Sequence, residues 1–84
     1  MDDVKAKLRA FVLAEFLPGE PPASLQDSGM LRESGIIDSL GTIKLVEFVE
    51  ATFGLSVEAH EVDEANFGSI ARIISFIERR RSQR

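Results

Sequence analysis

The chain has 84 residues, no cysteine, one histidine and a formal net charge of −4. That length supports one domain, near the lower end of what folds without staples, and the lack of cysteine excludes disulfides and thiolate metal sites. No apolar run approaches the roughly 20 residues of a membrane helix, and Met1-Asp2-Asp3-Val4 lacks the basic-then-apolar pattern of a signal peptide. The expectation is a cytoplasmic monomer with no membrane insertion.

Charge is unevenly spread. Arg79, Arg80, Arg81 and Arg84 form a basic tail, whereas Glu47, Glu50, Glu58, Glu61, Asp63 and Glu64 follow one another between Leu45 and Glu64 with no lysine or arginine among them. Such a field repels nucleic acid and steers basic protein surfaces. The arginines are expected to be a solvated helix end that complements the helix dipole. His60 and its acidic neighbours are expected to be a solvated face, with no metal bound.

In chain order, Val4, Leu8, Phe11, Val12 and Phe16 recur at helical spacing, which predicts a helix over residues 2–16. Asp2 and Asp3 favour its start, and Pro18-Gly19 stops it. Residues 18–38 then form a loop longer than the roughly 12–15 residues usual in compact domains. Leu25, Met30, Leu31, Ile36 and Ile37 along it are expected to pin it over a helical core, with a one-turn helix around Ser28 to Arg32. Asp38 is a good N-cap for a second helix from Ser39 to Phe53, ended by Gly54. Leu45, Val46, Val49 and Phe53 share its core face, while Leu40, Ile43 and Glu47 project roughly opposite. Asp63 is expected to cap a short helix through Asn66 and Phe67, which Gly68 breaks. Ser69 caps a last helix to about Arg80, with Ile70, Ile73, Ile74 and Ile77 in the core. Three main helices and a short one, with a long loop between the first two, make an all-α four-helix bundle of one domain over 1–84.

The chemistry concentrates in Gly35-Ile36-Ile37-Asp38-Ser39-Leu40. One serine hydroxyl stands at a helix start, after a glycine-containing loop, and no base is available to make it a nucleophile. No nucleophile–base pair or metal cluster can be assembled elsewhere, so the chain is not expected to be an enzyme. The hydroxyl is instead expected to be a place where another enzyme attaches something.

The stretch Leu31-Arg32-Glu33-Ser34-Gly35-Ile36-Ile37-Asp38-Ser39-Leu40 resembles the attachment motif of acyl carrier proteins, and Asn66-Phe67-Gly68-Ser69-Ile70 is similar to a second stretch of free-standing carriers. Helix order and total length agree, so the resemblance covers nearly the whole chain. It implies a phosphoprotein with 4'-phosphopantetheine attached to Ser39 and an acyl or aminoacyl cargo held as a thioester. The implied partners are a phosphopantetheinyl transferase, a loading enzyme and downstream biosynthetic enzymes. Asp38, Leu40, Ile43, Glu47 and Glu50 are the expected recognition residues around the serine.

Two departures bear on pathway. Gly41 and Lys44 stand where fatty-acid-synthesis members are often acidic, and Glu47 stands where they are often apolar. Gly41 also weakens the first turn, by about 1 kcal/mol or less relative to Ala. These departures favour a specialised polyketide, nonribosomal peptide or related pathway over housekeeping fatty acid synthesis. In a different class, a helical interaction module without a prosthetic group would use the same Leu40 and Ile43 to bind a basic partner.

Overall fold

A computed structural model of the protein describes residues 4–82 and is helical throughout its regular structure. The elements are α1 (Val4–Phe16), a 3₁₀ turn (Pro22–Ser24), α2 (Ser39–Phe53), a second 3₁₀ turn (Ala59–Glu61), α3 (Glu64–Phe67) and α4 (Ile70–Ser82). Asp2 and Asp3, expected to favour the start of α1, lie outside the described residues, as does Arg84.

The expected core stripes are present. Val4, Leu8 and Val12 of α1, Leu45 and Val49 of α2, and Ile70, Ile73 and Ile77 of α4 are all buried, joined by Phe67 and Phe76. Val46, Phe53 and Ile74 are only half-buried and pack against this cluster from its edge. Phe53 meets Phe48 edge-on at 6.1 Å, and Phe48 stacks on Phe11 at 4.1 Å, so an aromatic row runs along the seam of α1 and α2. Rings in such a row contribute more than their buried area alone.

The long loop is held from three sides. Leu25, Leu31 and Ile37 point into the core. Arg9 of α1 donates to the Leu25 carbonyl at 2.8 Å, to Asp27 Oδ1 at 2.7 Å and to the Pro22 carbonyl at 2.9 Å. On the far side, Ala71 N–H donates to the Asp27 carbonyl at 2.9 Å, and Leu31 N–H to the Gly68 carbonyl at 2.9 Å. Lys5 and Arg9 beside Asp27 hold its carboxyl below the ordinary value, with the Lys5 hydrogen bond the larger cause. The expected one-turn helix at Ser28–Arg32 is absent. The regular turn of this loop is Pro22–Ser24, started by a proline at its first position, and a single helical hydrogen bond links Ser34 N–H to the Met30 carbonyl at 3.0 Å.

Caps follow the expected residues at the other boundaries. Asp63 accepts from Asn66 N–H at 2.9 Å and Ser69 Oγ from Arg72 N–H at 3.2 Å, which satisfies helix-start donors. Gly54 ends α2 in a left-handed conformation. Gly68 ends α3 as expected, with a right-handed backbone that leads on to α4.

The arginine tail departs from expectation. Arg80 pairs with Glu61 and donates to the Ser56 carbonyl, and Arg79 donates to Asn66 Oδ1 at 3.0 Å. Both guanidiniums lie over the Phe76 ring, at 5.1 and 5.9 Å from its centroid. The last turn of α4 therefore clamps the connector between α2 and α3, where a merely solvated end was expected. The Glu58 N–H, and then Arg80, hold the Glu61 carboxyl below its ordinary value.

Candidate functional site

Ser39 is the first residue of α2 and is exposed. Its place depends on Asp38, whose extended backbone is the N-cap and whose Oδ1 accepts from Gly41 N–H at 2.7 Å. The Asp38 carbonyl accepts both the N–H and the hydroxyl of Thr42, each at 2.9 Å. These bonds fix the first turn and leave the serine side chain outside it.

Upstream, Ile36 and Ile37 N–H both donate to the Leu31 carbonyl, at 3.1 and 3.2 Å. Gly35, at φ +83°, reverses the chain between them, a conformation in which a side chain would be strained. This tight turn brings Arg32 back over the helix start, where Arg32 Nη2 donates to Ser39 Oγ at 3.3 Å. Ser34, the other hydroxyl nearby, donates to the Leu31 carbonyl at 3.1 Å and belongs to the turn.

Gly41 has a reason that its helix propensity hides. It is buried, and a Cβ there would lie 2.8 Å from Phe16 Cε1, 3.2 Å from Asp38 Oδ1 and 3.3 Å from Ile37 Cγ2. The glycine lets the last residue of α1 press against the first turn of α2. The platform beneath Ser39 is therefore packed, and the glycine is a close approach more than a weak point.

Of the expected recognition residues, Leu40 and Ile43 are 64% and 56% exposed, the large apolar side chains most open to solvent among the described residues. Glu47 is exposed on the same side of α2. Asp38 sits at the helix start with its carboxylate engaged on Gly41. Glu50 turns away: its Oε2 accepts from Val57 N–H at 2.9 Å and so anchors the α2–α3 connector. The acids downstream are similarly occupied, since Glu58 and Glu61 cap the second 3₁₀ turn and Asp63 caps α3.

Two depressions flank the serine. One, of about 320 Å³, is lined by Met30, Arg32, Thr42, Val62 and Phe67 among others. The other, of about 210 Å³, lies by Phe16, Leu40 and Lys44. His60 is exposed in the 59–61 turn, and no group of three or more His, Cys, Asp or Glu among the described residues is arranged to hold a metal ion. No helix among them is long and apolar enough to cross a membrane.

A phosphodiester fits the residues at this position. The hydroxyl is open to a modifying enzyme, the helix start presents its positive dipole end, and a guanidinium is already beside the oxygen. The sequence singles out Ser39 and Asp38 but not Arg32, because the approach of Arg32 depends on how the 31–37 turn folds back.

No family model matches the chain. D-alanyl carrier protein 1 of Lactiplantibacillus plantarum is 32% identical over 78 residues, covering 93% of this chain and 94% of that protein. D-alanyl carrier protein 2 of the same organism is 29% identical over 75 residues, covering 89% and 90%. Among solved structures, a holo acyl carrier protein from Nitrosomonas europaea superposes with a TM-score of 0.76 over 98% of this chain and 99% of its own, at 23% identity, a likeness of fold. A chain from the crystal structure of an FAD-dependent dehydrogenase superposes with a TM-score of 0.74 at 26% identity, over 83% of this chain and 97% of that one.

Proposed function

Because this chain belongs to the carrier protein family, matching D-alanyl carrier proteins along most of its length, we propose that Ser39 bears 4'-phosphopantetheine and that the cargo is a small aminoacyl or acyl group. The observation that carries this reading is the exposed Ser39 hydroxyl at the first residue of α2, outside the hydrogen bonds that cap the helix. The attached arm supplies a terminal thiol, absent from this cysteine-free chain, on which a carboxylic cargo is held as a thioester.

The chain's own residues do the rest. Asp38 caps α2 and keeps Ser39 at the helix entry. Gly41 and Phe16 stiffen the platform below it. Leu40 and Ile43 offer apolar contact for partner enzymes, and Glu47 adds charge at the rim. Carrier proteins are not enzymes, and ligation or transfer belongs to the partners. The names of the curated relatives favour an aminoacyl cargo such as D-alanine and a specialised pathway over fatty acid synthesis.

The test is an intact-mass measurement after coexpression with a broad-specificity phosphopantetheinyl transferase. The parent gains one phosphopantetheine, and Ser39→Ala folds but gains none. No gain on the parent, under conditions that modify a control carrier, refutes the reading and favours an interaction module without a prosthetic group.

A further inference from the structure

Arg32 differs from the arginines that brace the fold. Arg9 and Arg80 each meet a carboxylate, whereas Arg79 and Arg72 donate to an amide and a carbonyl oxygen. Arg32 is exposed and has no carboxylate within salt-bridge distance among the described residues; its contact is Ser39 Oγ at 3.3 Å. Its direction is imposed by the loop. Leu31 and Ile37 are buried on either side of the tight turn, so the backbone that carries Arg32 is anchored at both ends.

A neutral hydroxyl at the long end of hydrogen-bond range is a weak partner for a guanidinium. An anion bonded to that same oxygen is a strong one, because planar N–H donors match phosphate oxygens and the bonds are charge-assisted. The Asp38 carboxylate next to Ser39 would oppose a phosphate by charge, and a cation at Arg32 offsets it.

We infer that Arg32 is a positioning residue for the phosphodiester on Ser39, donating to its non-bridging oxygens. This rests on Ser39 carrying that group. Arg32 also lines the larger depression, with Met30, Thr42 and Phe67. Its grip inclines the root of the arm to that side of the helix start, away from Leu40 and Lys44.

The experiment compares apo and holo forms of the full chain for the parent, Arg32→Gln and Arg32→Lys. The readouts are the ³¹P resonance of the holo forms and the melting temperatures of both forms. In the parent, the ³¹P resonance is displaced from that of a phosphopantetheinylated serine peptide. In Arg32→Gln it moves to the peptide position, and Arg32→Lys falls between. The apo forms melt together, while holo Arg32→Gln melts about 1–6 °C below the holo parent, the shift an exposed charge pair produces in a domain of this size. A holo Arg32→Gln with the parent's ³¹P position and the parent's apo-to-holo melting change overturns the inference and leaves Ser39 as the attachment point. A parent that takes up no phosphopantetheine overturns both.

Discussion

Arg9→Met isolates what holds the long loop in place. Methionine keeps an unbranched apolar stem in the same groove but removes three hydrogen bonds, to the Leu25 and Pro22 carbonyls and to Asp27. The Leu25 bond is part-buried and joins a charged donor to a carbonyl, so its loss costs about 1–2 kcal/mol. The Asp27 pair is discounted for solvent, because its side chains are 21% and 35% exposed, and contributes about 0.5–1 kcal/mol. The exposed Pro22 bond adds about 0.5 kcal/mol. Together the substitution lowers stability by about 2–3.5 kcal/mol, a large part of the total for a domain this small. Urea unfolding followed by circular dichroism measures the loss. Amide exchange places it: protection should fall first at Leu31 and Ala71, whose N–H groups bond across the loop. A loss below about 0.5 kcal/mol, the level of an ordinary surface change, refutes the assignment of Arg9 as the loop's anchor.

Three further outcomes are expected. Gly41→Ala should lower stability by about 1–2 kcal/mol through overpacking against Phe16, and Phe16→Leu should relieve the difference; a more stable Gly41→Ala in denaturant titration contradicts the close approach. Ile43→Ala should slow transferase loading at every ionic strength, whereas Glu47→Lys should slow it mainly at low salt, with loading rate against salt as the measurement. Asp27 has a folded carboxyl held below its ordinary value of 3.8. Its contribution is therefore present above that value and lost as pH falls through the lowered one, so Asp27→Asn should flatten the acid limb of the stability–pH curve below about pH 4.

What the sequence disclosed is local. The apolar spacing of α1, α2 and α4, the caps at Asp38, Asp63 and Ser69, and the serine at a helix start are periodicities or neighbouring pairs, and the structure has each of them. Arg9 could be placed only on a polar face, because its partners lie 13 to 18 residues away on a loop whose path no periodicity describes. Phe11 and Phe48 belong to separate helices and meet through the packing angle between them. Phe76 reads as one more apolar residue beside an isoleucine stripe, yet it is buried and covered by two arginines. Gly41 is the instructive case: propensity marks it as a flaw in a helix, and the ring of Phe16 makes it the residue that fits.

The clamp at the end of α4 also orders events in time. Arg80 reaches back 24 residues to Ser56 and 19 to Glu61, and α4 supplies Ile70, Ile73 and Ile77 to the core that Val4, Leu8 and Val12 need for burial. A ribosome releases those partners in the opposite order. While α1 and α2 are already outside, their apolar faces lack the surface that covers them, and the connector has nothing to close on. Contacts between elements distant in sequence must meet a loop-closure cost before they contribute. Without α4 in place, the apolar faces of α1 and α2 form an uncovered seam, the kind of surface that makes incompletely folded chains prone to association.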